Sequence, residues 1–117
     1  NLWTIFSKFT RLRDGGVCFS CGKRDEWKNL DAGHYISKTA GLALYFDEKN
    51  VNSQCTYCNR FMHGNLSQYA LALRRKYGET ILEELEWKRR KITRISIPEY
   101  QKLIQLYKDK VKELEKI

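Results

Sequence analysis

The stretch NVNSQCTYCNR, residues 50–60, holds a Cys-x-x-Cys pair, Cys55 and Cys58, with one asparagine, Asn50, five residues before it and another, Asn59, directly after it. A second pair lies upstream in CFSCGK, residues 18–23, as Cys18 and Cys21. These are all the cysteines of the 117-residue chain. Two such pairs present four thiolates, enough to close a tetrahedral zinc site. Disulfides across the pairs are the alternative in an oxidising compartment. A bond within a pair would close a very short, strained loop. With four sulfur ligands no coordination position remains for a reactive water, so a zinc here is structural, and any chemistry needs a second site.

The distance between the pairs is informative. Cys21 and Cys55 are separated by 33 residues, where a simple zinc ribbon has about 15–20. The intervening segment includes DAGHYISKTAG, residues 31–41, which carries His34, one of only two histidines. Leu30 to Ile36 reads as one short strand and Val51 to Gln54 as another, joined by a loop through Gly41 and the polar run DEKN.

The outer segments are helical. Leu2, Ile5, Phe6, Phe9 and Leu12 recur at helical spacing over residues 2–13, and Asp14-Gly15-Gly16 ends that helix. Asn65 with Gln68 resembles a capping box ahead of a helix whose face is Leu66, Tyr69, Ala70, Leu73 and Tyr77, with Gly78 closing it. A further helix spans about Glu79 to Lys91, with Ile81, Leu82 and Leu85 inward. ITRISI, residues 92–97, interrupts the pattern. Ser96 and Glu99 form a second capping box with Pro98 in the first turn, and a last helix runs to the chain end. The expected architecture is α+β: a zinc-stapled core of the ββα-metal (HNH-like) type over residues 1–78, including the N-terminal helix, and a helical extension over 79–117. That extension either packs on the core or serves dimerisation.

The order His34, Asn50, Asn59 suits a ββα-metal nuclease. A histidine on the first strand activates water, a second polar residue holds the imidazole in its working tautomer, and a residue on the following helix binds a divalent ion that stabilises charge on phosphate and leaving oxygen. The last histidine of the HNH pattern is here Asn59. Read separately, each residue has a plainer role: a surface or zinc-proximal histidine, a turn asparagine, a helix cap.

The chain carries 22 Lys and Arg against 14 Asp and Glu, a formal charge of +8, which suits a polyanionic partner. No run approaches the ~18 apolar residues of a membrane span, and no secretory signal is visible. Arg60 and Lys38 are candidate phosphate contacts. Arg74, Arg75 and Lys76, and Lys88 to Lys91 with Arg89 and Arg90 at their centre, are the densest basic clusters. They either contact DNA or form solvated helix faces paired with Glu79, Glu83, Glu84 and Glu86. Trp3, Trp27 and Trp87 read as packing residues.

RLRD, CFSCGK, AGHY, LALYFDEKNVNSQCTYCNR, GN and KYG together resemble the phage NinG/Rap recombination proteins, a branch of the HNH/ββα-metal nucleases, over roughly Phe6 to Gly78. The resemblance implies a DNA endonuclease acting on branched recombination intermediates such as D-loops and Holliday-type junctions. It implies structural zinc on Cys18, Cys21, Cys55 and Cys58, a catalytic Mg²⁺ or Mn²⁺, and action in the bacterial host cytoplasm. It also implies further sequence N-terminal to Asn1. By position, His34 is the base, Asn50 the orienting residue and Asn59 the helix ligand. The chain departs from the broader pattern at Gly33, where many such enzymes carry a metal-binding Asp or His. The ion ligands are then drawn from Asp31, His34 and Asn59, and His63 is a spare candidate. A non-catalytic zinc-stabilised DNA-binding module and a protein-interaction knuckle are the alternative functions.

Overall fold

The computed structural model describes residues 1–91 and 93–116. The ITRISI break includes Ile92, and the expected last helix extends to Ile117; both of these residues lie outside the described ones. Among the described residues five helices, α1 (Leu2–Arg13), α2 (Leu42–Tyr45), α3 (Leu66–Tyr77), α4 (Ile81–Arg89) and α5 (Ile97–Glu115), surround one antiparallel hairpin of β1 (Asp31–His34) and β2 (Val51–Gln54). The architecture is mixed α+β and mostly helical.

Helix α1 begins where the Asn1 side chain accepts the Thr4 N–H, and it ends at Asp14. Gly15 and Gly16 then take φ of +65° and +79°, which a Cβ would oppose. Arg13 and Asp14, just before this turn, look inward. The Arg13 guanidinium binds the Asp14 carboxylate at 2.8 Å, the carbonyls of Glu48 and Val51, and Asn52 Oδ1. Asp14 in turn accepts the Ser53 N–H at 2.7 Å. The end of α1 is thereby bolted to β2.

The hairpin register pairs Asp31 with Gln54, Ala32 with Ser53, Gly33 with Asn52 and His34 with Val51. Every residue of β2 is buried. The Tyr69 hydroxyl, fully buried on α3, donates to the Gly33 carbonyl at 2.7 Å and accepts from Asn52 Nδ2 at 3.1 Å. One phenol thus ties both strands to α3. Besides Leu30, which packs with Cys18, Cys55 and Cys58, the larger buried apolar residues divide into two cores. Leu2, Phe6, Phe9, Val51, Tyr107 and Val111 join α1, β2 and α5. Ile36, Leu44, Tyr69, Leu73, Ile81 and Leu85 join α2, α3 and α4.

Two local expectations change. The connection between the strands is more than the loop its polar residues suggest: it contains α2, which carries Leu44 into the second core. Asn65 does not cap α3: its φ is +46°, it makes no side-chain cap bond, and its amide donates toward Cys58 Sγ at 3.5 Å. His63 occupies a left-handed turn with φ of +49°. The Ser96–Glu99 capping box does form, with Glu99 N–H donating to Ser96 Oγ at 3.3 Å and Ser96 N–H donating to Glu99 Oε1 at 3.4 Å.

Candidate metal centre and histidine cleft

The four cysteine sulfurs lie within 4.8 Å of one another. Cys21 and Cys55 Sγ are 3.7 Å apart, close to the ~3.8 Å edge of a tetrahedron with 2.3 Å zinc–sulfur bonds. Each pair folds as a knuckle. The Cys21 N–H points at Cys18 Sγ and the Cys58 N–H at Cys55 Sγ, at 3.5 and 3.4 Å. Such N–H groups, with the Asn65 amide, delocalise thiolate charge around a cation. Burial pushes the Cys58 thiol up to about 12, and the neighbouring Cys55 and Cys21 thiols push the same way. A divalent cation between the sulfurs supplies the charge that reverses this. The donor set fits structural zinc.

The centre also positions the segment leaving its second knuckle. Tyr57–Phe61 winds as one wide helical turn, closed by the Met62 N–H on the Tyr57 carbonyl at 2.9 Å, an i→i+5 bond. Wide turns of this kind are frequent at functional sites. Here the turn aims Asn59 at the hairpin. Asn59 Nδ2 donates to Asp31 Oδ2 at 3.1 Å, and Arg60 Nε pairs with the same carboxylate oxygen at 3.3 Å.

His34 ends β1 and lines a cleft of about 650 Å³ together with Trp3, Lys38, Tyr45, Asn59, His63 and Arg89. A neighbouring pocket of about 470 Å³ shares Trp3, Ala32, Lys38 and Asn59 and adds Arg11, Asp31 and Arg60. The two adjoin along these shared residues, Asn59 among them, and are together called the trough. A larger groove, about 880 Å³, lies at the first knuckle beside Arg75 and Lys76 and contains neither histidine.

The imidazole is held by two groups that sequence reasoning missed. His34 Nε2 lies 3.0 Å from the Tyr45 carbonyl. A carbonyl only accepts, so Nε2 carries the proton, and in the neutral ring Nδ1 keeps the lone pair. Trp3 stacks on the ring at 5.1 Å between centroids and 21° between planes. Burial lowers the His34 pKa below its ordinary value; the Tyr45 carbonyl opposes this and the Lys38 charge adds to it. The ring is therefore a neutral base at neutral pH.

Asn50 does not touch the imidazole. Its Oδ1 accepts the Ile36 N–H at 2.8 Å, and its Nδ2 donates to the Ile36 and Leu44 carbonyls at 3.0 Å each. It pins the segment after β1 to α2, one residue before Tyr45, and so fixes the carbonyl that orients His34. No sequence signal marked a backbone carbonyl as the orienting group, because every residue has one.

The ion-ligand candidates are only partly gathered. Asp31 and Asn59 touch, but Asp31 and His34 leave opposite faces of β1, since successive side chains of a strand alternate. Gly33 shares the Asp31 face. A Cβ built there would collide with Gln54 Oε1 and sit 2.8 Å from Asn59 Oδ1. Gln54 therefore fills the space that a side chain at position 33 would take, and its Oε1 is buried with no hydrogen-bond partner. Sequence reasoning overlooked Gln54. Of the basic candidates, Lys38, Arg60 and Arg89 line the trough, whereas Arg75 and Lys76 line the separate groove; Arg74 and Arg90 line neither.

The fold and its site define a small α+β module in which a four-cysteine metal centre braces a hairpin bearing a carbonyl-tethered histidine. The family model of the bacteriophage lambda NinG protein matches residues 1–117, and the chain belongs to the NinG family of phage proteins. It is 35% identical over 109 residues to protein ninG of Escherichia phage 933W and equally to that of Escherichia phage lambda, covering 91% of this chain and 52% of each relative. It is 40% identical over 81 residues to protein ninG of Salmonella phage P22, covering 67% of this chain and 38% of that one. The chain thus spans about half the length, or less, of the curated relatives it matches. No solved structure matches it. Among the described residues no helix is long and apolar enough to cross a membrane.

Proposed function

We propose that this chain is the catalytic part of a divalent-metal-dependent endonuclease that hydrolyses phosphodiesters in branched DNA, with an HNH-like ββα site built on a structural zinc centre. The observation that carries this reading is the His34 tether. Nε2–H is committed to the Tyr45 carbonyl, so the lone pair of Nδ1 is available for a proton in a cleft that also contains Asn59.

His34 takes a proton from water as that water attacks phosphorus. Lys38, Arg60 and Arg89 hold the DNA backbone in the trough. Asp31 and Asn59 would hold the ion through hard oxygen donors of the kind Mg²⁺ and Mn²⁺ take, with the Asn59 amide turning its oxygen, in place of the Nδ2 now bonded to the carboxylate, toward Asp31. The orphaned Gln54 Oε1 beside Asn59 Oδ1 supports an oxygen-rich site on that face. When bound, the ion supplies charge stabilisation at the phosphate and the departing 3′ oxygen. The expected products bear 5′ phosphate and 3′ hydroxyl.

A synthetic four-way junction incubated with the chain and Mg²⁺ or Mn²⁺ tests the reading. Wild type cuts it. His34→Ala lowers the cutting rate by about 10²–10⁴ while binding and zinc content persist. A junction that wild type binds but leaves uncut with every divalent ion tried would identify a DNA-binding module instead. Absence of DNA binding even at low salt would point to a protein-interaction knuckle.

A further inference from the structure

The wide turn that aims Asn59 inward also carries two large aromatic rings outward. Tyr57 is 62% exposed and Phe61 is 72% exposed, although each is flanked by residues of the metal centre or the cleft. Their rings lie parallel to within 30°, with centroids 6.4 Å apart, so they form one stacked unit. The position of that unit is set rigidly: Tyr57 sits between the ligand candidates Cys55 and Cys58, and Cys58 is only 1% exposed. Met62 and Leu66 extend the apolar surface, both nearly half exposed, and Leu66 reaches the wall of the His34 cleft. Exposed aromatics grouped in this way, on a turn whose own Asn59 and Arg60 line the trough, mark a binding surface.

Charge identifies the occupant. Arg60 lies between the two rings in the chain, with its side chain 67% exposed. The trough alongside is lined by Arg11, Lys38 and Arg89. Aromatic faces set among cations are how proteins hold unpaired nucleic-acid bases, with the rings stacking and the cations tracking phosphate. Base faces inside a duplex are covered by their neighbours and are closed to such a platform. Bases at a branch point are open to it.

We infer that Tyr57 and Phe61 form a stacking platform for unpaired bases at the branch of the DNA substrate, and that this platform, rather than the phosphate contacts, distinguishes branched DNA from plain duplex. The inference rests on the branched-DNA reading above.

The test is a binding measurement without Mg²⁺ or Mn²⁺, so it does not depend on cutting. The probes are a three-way DNA junction with one unpaired 2-aminopurine at the branch and a fully paired duplex of equal length. On wild-type binding, the 2-aminopurine fluorescence is quenched by stacking. In Tyr57→Ala/Phe61→Ala the quenching is lost and junction affinity falls about tenfold or more, while duplex affinity changes less than twofold. Tyr57→Leu/Phe61→Leu keeps apolar bulk without a π face and gives the same selective loss; it decides the matter if the alanine variant loses zinc. Junction binding and quenching unchanged in the leucine variant, or equal losses on junction and duplex, would overturn the platform and leave the nuclease reading standing. A wild-type chain that binds neither DNA would overturn both.

Discussion

The imidazole of His34 is gripped on three sides: Tyr45 by hydrogen bond, Trp3 by stacking, and the strand that carries it. Burial holds its pKa below the usual 6.5. Cleavage should therefore keep its full rate below the pH at which an ordinary histidine base is protonated. An NMR titration of the ring, assigned with His63→Gln, should give a midpoint under 6.5. Stability is linked to the same shift. As pH falls, the unfolded chain protonates this residue first, so the stability its burial contributes is present above about pH 6.5 and is lost as pH falls toward the lower folded value. Gly33 is the other decisive residue. Gly33→Ala drives a methyl into Gln54 and toward Asn59, and overpacking of this kind costs about 1–3 kcal/mol. Urea unfolding measures it, and a cycle with Gln54→Ala should be strongly non-additive, because the two compete for one space. The same collision leaves no room for an acidic side chain at position 33 while Gln54 stays where it is.

At the scale of elements, the hairpin is held by side chains from helices remote in sequence. Tyr69→Phe removes the hydroxyl that serves Gly33 and Asn52, leaving a buried amide and a carbonyl short of partners. The expected cost is about 1–3 kcal/mol, read as a lowered urea midpoint with an unchanged slope. Helix α4 is latched to the loop before β2 by the ion pair of Lys88 with Asp47, and α5 by Tyr107 and Lys110 on Glu48 at 2.8 Å each. The clusters at residues 74–76 and 88–91 therefore have unequal roles: Lys88 is structural, Arg89 faces the trough beside Glu86, and Arg75 and Lys76 border the other groove.

For the whole molecule, two outcomes are expected. Stripping the metal with a chelator should collapse the knuckles and release the Tyr57–Phe61 turn, because burial and mutual proximity oppose thiolate formation at Cys58 without a cation. The circular dichroism signal and DNA binding should both be lost in step with zinc release. DNA affinity should fall steeply with salt. Arg60→Ala and Arg89→Ala should each flatten that slope by about one counterion, whereas Arg74→Ala and Arg90→Ala, outside the trough, should leave it nearly unchanged. Equal effects from all four would mean that the DNA does not lie along the trough.

The local signals in the chain determined a good deal. Spacing alone located each Cys-x-x-Cys pair, the limits of α1 and β2, and the Ser96 capping box, because each depends on residues within a few positions of one another; the four-cysteine centre followed from tetrahedral zinc needing both pairs. His34 and Asn59 stood out for the same reason. Contacts between distant segments were decided only in three dimensions. A carbonyl of α2 sets the tautomer of a β1 histidine, Asn50 serves that carbonyl and not the ring, and Gln54 fills the void beside Gly33. None of these leaves a periodic or spacing mark, because a backbone oxygen is common to every residue and a void exists only after two strands have paired. The sorting of basic residues between trough and groove arose likewise from how α4 packs on α2 and α3, which a charge count along the chain does not contain.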